Sequence, residues 1–199
     1  MTKTYIEYED IALMADMATN LRDRLLIWLL FKLGCRISEA LGITVDDIDF
    51  THYTVTIKHL KSRSRFFCLS CAARVGFAYA FCPKCGSEID KAQIQQQEHR
   101  RMRVLPVDEE TVILISDYIK RGGPLSREGK KYLFGINRHR AWQIVRDCAE
   151  KAGLEKLVNP DTGRTRGISP HRLHDSFAVH AMKLDDSGDG LRLLQKHFP

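Results

Sequence analysis

The chain has 199 residues, and its 44% hydrophobic content is enough to bury one full core, with room for a small appendage. Its most apolar run, residues 25–31, is far shorter than a bilayer crossing, and the sequence shows no secretory segment. We therefore expect a cytoplasmic protein with no membrane partner. The excess of 31 Lys and Arg over 25 Asp and Glu favours a polyanionic partner.

Two helices are predicted at the start of the chain, over residues 5–19 and 21–33, and Gly34 is a natural stop for the second. A short helix follows directly, with Arg36 and Glu39 three residues apart at its start. An Arg side chain is always charged, and its planar guanidinium offers several hydrogen-bond donors to a phosphate. A Glu at i+3 can bind the guanidinium from behind and hold it in position. The alternative is an ordinary ion pair on the surface of an amphipathic helix.

The residues around this short helix match a known pattern. They read Gly34-Cys35-Arg36-Ile37-Ser38-Glu39-Ala40-Leu41-Gly42-Ile43, followed by the acidic turn Asp46-Asp47-Ile48-Asp49. This stretch, the first box, resembles the first signature box of the catalytic domain of tyrosine recombinases, the phage integrase family. The resemblance implies an α+β, mainly α-helical fold with a small antiparallel sheet. It also implies that Arg36 contacts the scissile phosphate of duplex DNA.

A hairpin is predicted next, between strands at residues 53–58 and 101–106, with Arg103 on one strand face and Val104 on the other. In the resembled family this hairpin carries a lysine that protonates the leaving 5′ oxygen. Lys61 stands nearest that place, with Lys58 in reserve, and a solvated lysine is the alternative. The DNA contacts predicted from the hairpin and from a second box are Lys58, Arg63, Arg65, Arg101, Arg103 and Arg172.

A long insertion replaces the turn of this hairpin, and it contains Cys68, Cys71, Cys82 and Cys85 in the pattern C-x2-C-x10-C-x2-C. This paired spacing lets four thiolates bind one tetrahedral, structural zinc ion. We therefore predict a zinc ribbon over residues 66–99, whose aromatic side chains cover a core too small to fold without metal. Two disulfides, or a redox C-x-x-C pair, are the competing interpretations.

Beyond the hairpin, apolar spacing and turn residues predict helices over residues 108–120 and 138–152 and a polar loop over residues 159–167. Cys35 and Cys148 lie outside the cysteine quartet, and we interpret both as small buried apolar residues.

The second box reads Ile168-Ser169-Pro170-His171-Arg172-Leu173-His174-Asp175-Ser176-Phe177-Ala178. Ser169 and Pro170 suit an N-cap and a first turn, so His171 opens a helix whose positive end can face a phosphate. The stretch resembles the recombinase box S-P-H-x-L-R-H-S-F-A. His174 stands where the family has its second phosphate-binding arginine, and Asp175 stands where the family usually has another histidine.

This departure from the family pattern has chemical consequences. Arg172 does not replace the missing arginine easily, because one residue along a helix rotates a side chain by about 100°. His174 lies on the required face, but a histidine is only partly protonated near neutral pH. A metal site on His171 and His174 is the other interpretation, although the sequence shows no third ligand nearby.

All tyrosines of the chain precede His171, whereas the family's nucleophilic tyrosine follows that position. We therefore expect residues 1–199 to form one recombinase catalytic domain that stops before the nucleophile. The predicted catalytic residues are Arg36, Lys61, His171 and His174. One function is a DNA strand-exchange enzyme, completed by a Tyr-bearing segment and assembled on DNA as the tetramer that the family forms. The other is a non-catalytic descendant that binds DNA or regulates a partner recombinase.

Overall fold

In the computed structural model, the described residues are 3–58, 66–76, 79–89, 102–154, 156–159 and 162–184. The chain forms two compact units, which we call the larger unit (Met1–Lys58 with Arg103–Pro199) and the insertion unit (His59–Met102). The domain boundaries expected from the sequence, with an insertion at residues 66–99 inside one catalytic domain, stay a prediction.

The larger unit consists mainly of helices packed around one buried helix. The described helices are α1 (Tyr8–Asp16), α2 (Leu21–Lys32), α3 (Ile37–Leu41), α4 (Glu109–Lys120), α5 (Arg138–Lys151) and α6 (Pro170–Leu184). The central helix is α2, which contacts α1, α4, α5 and α6 and is hydrophobic on most of its surface because it is enclosed by its neighbours. None of the described helices is long and apolar enough to cross a membrane.

Polar side chains fix where α4 and α5 begin. Asp108 accepts a hydrogen bond from the backbone N–H of Thr111, and Asn137 accepts one from the backbone N–H of Arg140. A cap of this kind stabilises a helix by about 1 kcal/mol. The two helices predicted here from the sequence are confirmed to within one residue at each end.

The strands are short and form small sheets. The described strands are β1 (Ile48–Asp49), β2 (Thr54–Lys58), β3 (Phe66–Phe67), β4 (Arg74–Val75), β5 (Met102–Pro106), β6 (Leu125–Arg127), β7 (Lys130–Tyr132), β8 (Lys156–Val158) and β9 (Thr165–Gly167). One sheet has the order β1-β2-β5, and β1 pairs with β2 in the antiparallel sense. The neighbouring strands predicted for β2 and β5 are therefore confirmed. Val55, Ile57 and Leu105 bury this sheet against the core.

The two faces of β5 differ in burial. Met102 and Val104 are 64% and 63% exposed, whereas Leu105 is buried and the side chain of Arg103 is only 14% exposed. The alternation predicted for this strand is present, and the arginine face is the inner one. A basic side chain on the inner face needs a charged partner.

The hairpin of β8 and β9 was not predicted. Leu157 is opposite Arg166 in the antiparallel register, so the interpretation of residues 159–167 as a polar loop is wrong at its end. β9 reads Thr-Arg-Gly and all three of its residues are exposed, so it lacks the apolar alternation by which a strand is recognised in a sequence. Its pairing depends on β8 and on the turn, where Gly163 adopts a φ of +65°.

Candidate functional site

Arg36, Glu39 and Arg103 form a cluster at the start of α3. Arg36 is the N-cap residue, and its backbone N–H donates to Glu39 Oε2 at 2.9 Å. The Arg36 guanidinium lies 3.5 Å from Glu39 Oε1, and Arg103 Nη2 donates to Glu39 Oε2 at 3.1 Å. The contact between Arg36 and Glu39 that the sequence spacing predicts is therefore present, and a second arginine, Arg103, also binds Glu39.

The three side chains of this cluster differ in exposure. The Glu39 side chain is 2% exposed and that of Arg103 is 14% exposed, whereas that of Arg36 is 43% exposed. A buried carboxylate is tolerated because both arginines compensate its charge. Two guanidinium groups share this carboxylate, and both keep their positive charge at every physiological pH. Arg36 presents its charge to solvent, where an anion can bind it.

A close contact joins the first box to the second. Gly34 has a φ of +49°, and a Cβ added to it would overlap the ring of Phe177, lying 2.8 Å from Phe177 Cγ and Cε1. Only glycine leaves room for that ring. The backbone just before Arg36 therefore rests directly on α6, the helix that carries His171 and His174.

Lys58, a predicted DNA contact, lies at the end of β2 and is held by the acidic turn. Its Nζ is 2.5 Å from Asp47 Oδ1, while Asp47 Oδ2 accepts hydrogen bonds from the backbone N–H and the hydroxyl of Thr44. Burial raises the pKa of Asp47, but the hydrogen bonds from Lys58 and Thr44 outweigh burial and lower the pKa below its usual value. Lys58 thus stabilises the turn that follows the first box.

The second box gathers four polar side chains on the first turns of α6. The rings of His171 and His174 are stacked with centroids 5.7 Å apart. Asp175 Oδ1 lies 3.8 Å from His171 Nε2 and 3.7 Å from His174 Nδ1, and Asp175 Oδ2 accepts a hydrogen bond from Arg172 Nη1 at 3.1 Å. Their exposed fractions fall from 76% for His171 to 17% for His174.

Asp175 is ionised in this environment, and Ser176 anchors the helix beside it. Burial raises the pKa of Asp175, but the contact with His174 and the charges of His171 and Arg172 lower it further than burial raises it. The hydroxyl of Ser176 accepts a hydrogen bond from the backbone N–H of Ile6 and donates to the backbone carbonyl of Arg172. The N-terminal segment thereby fixes the position of the second box.

The structure brings the predicted site residues together in two groups. Arg36 and Arg103 share Glu39, and His171, Arg172 and His174 surround Asp175. Lys58 belongs to neither group and pairs with Asp47. The other predicted catalytic and DNA-binding residues lie outside the described part of the chain, and they are Lys61, Arg63, Arg65 and Arg101. The catalytic and DNA-binding roles assigned from the sequence stay predictions.

Sequence reasoning missed two features of these groups. The statement that His171 and His174 have no third ligand nearby is wrong, because an oxygen of Asp175 lies within 4.8 Å of a nitrogen of each ring. Asp175 directly follows His174, and positions i, i+3 and i+4 share a helix face, so this signal was present in the sequence. The burial of Arg103 on Glu39 had no local signal, because 64 residues separate the two side chains.

The insertion unit brings the four cysteines into one cluster. The Sγ atoms of Cys68 and Cys85 are 3.5 Å apart and those of Cys71 and Cys82 are 3.7 Å apart. All four Sγ atoms lie within 4.8 Å of one another. A tetrahedral zinc ion with Zn–S distances of about 2.3 Å needs sulfur atoms about 3.8 Å apart, so the four residues fit such an ion. All six cysteines of the chain are free thiols in this structure.

Each cysteine pair lies on a tight turn of similar construction. The backbone N–H of Ala72 donates to the carbonyl of Cys68, and that of Gly86 donates to the carbonyl of Cys82. Ala72 and Gly86 both adopt a positive φ, at 53° and 75°. The two turns enclose a small core in which Cys68, Cys82 and Val75 are buried. A core of this size needs a cross-link or a metal to be stable.

The pKa values of the cysteine thiols are also consistent with binding of a metal cation. Hydrogen bonds from Ser87, together with contacts to Cys71 and Cys68, lower the pKa of Cys85 to about 6. The backbone N–H of Ala73 lowers the pKa of Cys71, but Cys85, burial and the other two thiols outweigh it and raise that pKa to about 12. One thiolate therefore forms easily, and its negative charge disfavours the ionisation of a second thiol. A divalent cation at the centre removes that opposition and allows all four to ionise.

Comparisons with known sequences confirm the resemblance to the phage integrase family. The model of the phage integrase family matches residues 5–74. The tyrosine recombinase XerD of Mycobacterium leprae is 28% identical over 194 residues, which cover 92% of this chain and 45% of that protein. XerD of Corynebacterium glutamicum is 30% identical over 184 residues, which cover 92% of this chain and 46% of that protein. The chain thus spans about half the length of the curated relatives it matches.

Comparisons with solved structures give the same fold. The structure is similar to the crystal structure of XerA recombinase, with a TM-score of 0.62 and 16% sequence identity, covering 98% of this chain and 54% of that chain. It is also similar to XerH site-specific recombinase bound to difH substrate, with a TM-score of 0.58 and 18% identity, covering 98% and 47% of the two chains.

Proposed function

We propose, from the confirmed resemblance of this chain to the tyrosine recombinases in sequence and in fold, that it contains the catalytic domain of a site-specific DNA recombinase. In this proposal the chain binds duplex DNA and, when completed by a Tyr-bearing segment, cuts and rejoins strands through a phosphotyrosine link. The observation that carries the proposal is Arg36, a partly exposed guanidinium whose direction is set by a buried carboxylate.

Arg36 has the position and the support that a phosphate-binding arginine needs. Negative charge on the phosphate oxygens increases as a DNA strand is cleaved, and a donor that is already oriented stabilises that charge without reorganisation. Glu39 is too buried to contact DNA, so its role is to orient Arg36. Arg103 neutralises the other side of Glu39 and therefore acts on Arg36 through that carboxylate.

The second box supplies groups that change their protonation. His171 is well exposed near the start of α6, where it is able to contact a phosphate oxygen and to assist proton transfer. His174 binds the phosphate when the imidazole carries a proton. This contact is weaker than that of an arginine, whose charge is permanent. Lys61 is the proposed general acid for the leaving oxygen, while Lys58 stabilises Asp47.

The insertion unit supplies most of the charge for DNA binding. Residues 59–102 contain eight Lys and Arg against three Asp and Glu, so they contribute +5 of the formal charge of +6 on the chain. We propose that this unit, folded around one structural zinc ion on the four cysteines, contacts the DNA backbone without reading its sequence. Assembly of several chains on one DNA site is part of the same proposal.

A second candidate function is a non-catalytic DNA-binding protein that regulates a partner recombinase. The observation that favours it is the replacement of the second arginine by His174, whose neutral form withholds a charge-assisted contact worth roughly 2–4 kcal/mol in a transition state. Both functions require DNA binding through Arg36, and they differ in whether a covalent DNA adduct forms.

A nicked suicide substrate, in which the cleaved strand cannot be rejoined, separates the two functions. Residues 1–199 alone should bind this duplex and form no covalent adduct, because no tyrosine follows His171 within them. The same residues followed by a Tyr-bearing segment, taken from the gene if it continues past residue 199, should form the adduct. Arg36→Ala should abolish the adduct in that longer protein, and Arg121→Ala, which removes an exposed arginine paired with Asp117, should not.

Three results would count against the proposal. An adduct formed by residues 1–199 alone would mean that another residue is the nucleophile. A longer protein that binds the substrate and never forms an adduct would favour the regulatory function. Equal adduct formation by the wild type and the Arg36→Ala variant would contradict the role of the first box.

Metal analysis tests the zinc site separately. The purified protein should contain one tightly bound zinc ion per chain, and Cys82→Ser should lose it because three thiolates bind zinc much more weakly. Cys148→Ser is the matched control, since Cys148 is a buried cysteine outside the quartet. A native protein without zinc, whose four quartet thiols react freely with an alkylating reagent, would contradict the assignment.

A further inference from the structure

One turn of α6 presents three side chains of the types that bind transition metals. His171, His174 and Asp175 occupy positions i, i+3 and i+4, and their donor atoms all lie within 4.8 Å of one another. The carboxylate oxygen Oδ1 of Asp175 is nearly equidistant from the two imidazoles, at 3.8 Å from His171 Nε2 and 3.7 Å from His174 Nδ1. A single ion between these three atoms would need only small rotations of the side chains.

The carboxylate of Asp175 is already oriented for this task. Its second oxygen, Oδ2, accepts a hydrogen bond from Arg172 Nη1 at 3.1 Å, so Oδ1 is the oxygen that faces the two histidines. Metal-binding carboxylates in proteins are commonly held in this way by a neighbouring donor that is not itself a ligand. Arg172 has that position, and it is only 27% exposed.

We propose that His171, His174 and Asp175 form a binding site for a divalent transition-metal ion whose open positions accept a DNA phosphate oxygen. Two imidazoles and one carboxylate leave coordination positions open for a further ligand, unlike the four cysteines of the insertion unit. The ion would supply, at the position of His174, the positive charge that the resembled recombinase box obtains from an arginine. This inference rests on the proposed function, and in it the metal ion takes the place of the protonated His174 as the group that holds the phosphate, because a metal-bound imidazole is neutral.

Isothermal titration with zinc tests the site directly. The full chain, purified with its first zinc ion in place, should bind a second zinc ion with a dissociation constant in the micromolar range. His171→Ala should abolish the second binding event. Because the side chain of His171 is highly exposed, this variant should fold as the wild type does. His52→Ala is the matched control, because His52 is another exposed histidine beside a carboxylate, 2.7 Å from Asp49, and no second histidine joins this pair within the described part of the chain.

The phosphate role is tested by duplex binding with and without added zinc. Zinc should increase the affinity of the wild-type protein for a fluorescent DNA duplex about tenfold. It should leave the duplex affinity of the His171→Ala variant unchanged. His174→Arg should bind the duplex as tightly without zinc as the wild type does with it, and should no longer respond to zinc.

Each result decides one part of the inference. A wild-type protein that takes up no second zinc ion, or a second site that survives His171→Ala, overturns the metal site. A second zinc ion that leaves DNA affinity unchanged overturns the phosphate role. If no variant binds DNA under any condition, the proposed function fails, and the zinc stoichiometry still decides whether the metal site exists.

Discussion

The two boxes of the larger unit each place a carboxylate between cationic side chains, yet they do so in opposite environments. Glu39 is 2% exposed and is held by two arginines, whose charges do not change with pH. Asp175 is 40% exposed and is shared by one arginine and two histidines, whose charges do change. The charges of the first box are therefore fixed near neutral pH, whereas those of the second include two histidines, the side chains that change charge most readily there.

The largest effect is expected from the buried carboxylate of the first box. Glu39→Ala leaves Arg103, which is largely buried, without the carboxylate that compensates it, and should lower the free energy of unfolding by about 4 kcal/mol. Urea denaturation at neutral pH measures this. Asp175→Ala is the comparison, and it should cost less than about 1 kcal/mol because the Asp175 carboxylate is 40% exposed, so solvent screens its ion pairs.

A smaller loss of stability for Glu39→Ala than for Asp175→Ala would reverse this contrast between the boxes. Glu39→Gln gives a finer test, since an amide oxygen still accepts from the backbone N–H of Arg36. We expect it to lie between the wild type and Glu39→Ala in stability.

The contact between the two boxes gives the next largest effect. Gly34→Ala combines a left-handed backbone with a Cβ that overlaps Phe177, and should lower the free energy of unfolding by about 3 kcal/mol. Gly129→Ala is the control, because Gly129 also has a positive φ but has open space around it, and should cost about 1 kcal/mol. Phe177→Leu should reduce the penalty of Gly34→Ala in the double variant. Equal penalties at Gly34 and Gly129 would mean that the boxes are not in contact there.

The smallest effect concerns Asp47, a carboxylate intermediate between the other two, whose side chain is 8% exposed while that of Lys58 is 37% exposed. Asp47→Asn should cost about 1 kcal/mol at pH 7, since solvent screens part of this ion pair. The pKa of Asp47 is lowered on folding, so its stabilisation is present above an unfolded pKa of about 3.9 and is lost as the pH falls through the lower folded value.

Denaturation curves of the wild type and Asp47→Asn from pH 7 to pH 2 measure this difference. The two proteins should differ by a constant amount down to about pH 4 and should converge below it. A difference that grows as the pH falls would contradict the lowered pKa.

The parts of the fold that the sequence predicts well are those with a strong local pattern. The helices α4 and α5 begin directly after the capping residues Asp108 and Asn137, and β2 alternates buried and partly exposed residues. The hairpin of β8 and β9 was missed because three exposed residues in β9 give no periodic signal, and its pairing depends on tertiary context.

The same division holds for the site. The spacing of Arg36 and Glu39 predicts their contact, because both residues lie on one helix turn. The position of Arg103 against Glu39 depends on how β5 packs beside β2, and no local pattern records that contact. Asp175 was identified as a departure from the family box, but its proximity to both histidines was overlooked although helical spacing contains it.

The central claim, that Arg36 holds a DNA phosphate, is tested most directly by the salt dependence of duplex binding. Affinity for a fluorescent duplex is measured from low to physiological salt for the wild type, Arg36→Ala and the control Arg121→Ala. Loss of one phosphate contact should weaken binding by Arg36→Ala and reduce the slope of log affinity against log salt by about 1, while Arg121→Ala keeps the wild-type slope. Arg36→Ala with the affinity and the slope of the wild type would contradict the claim.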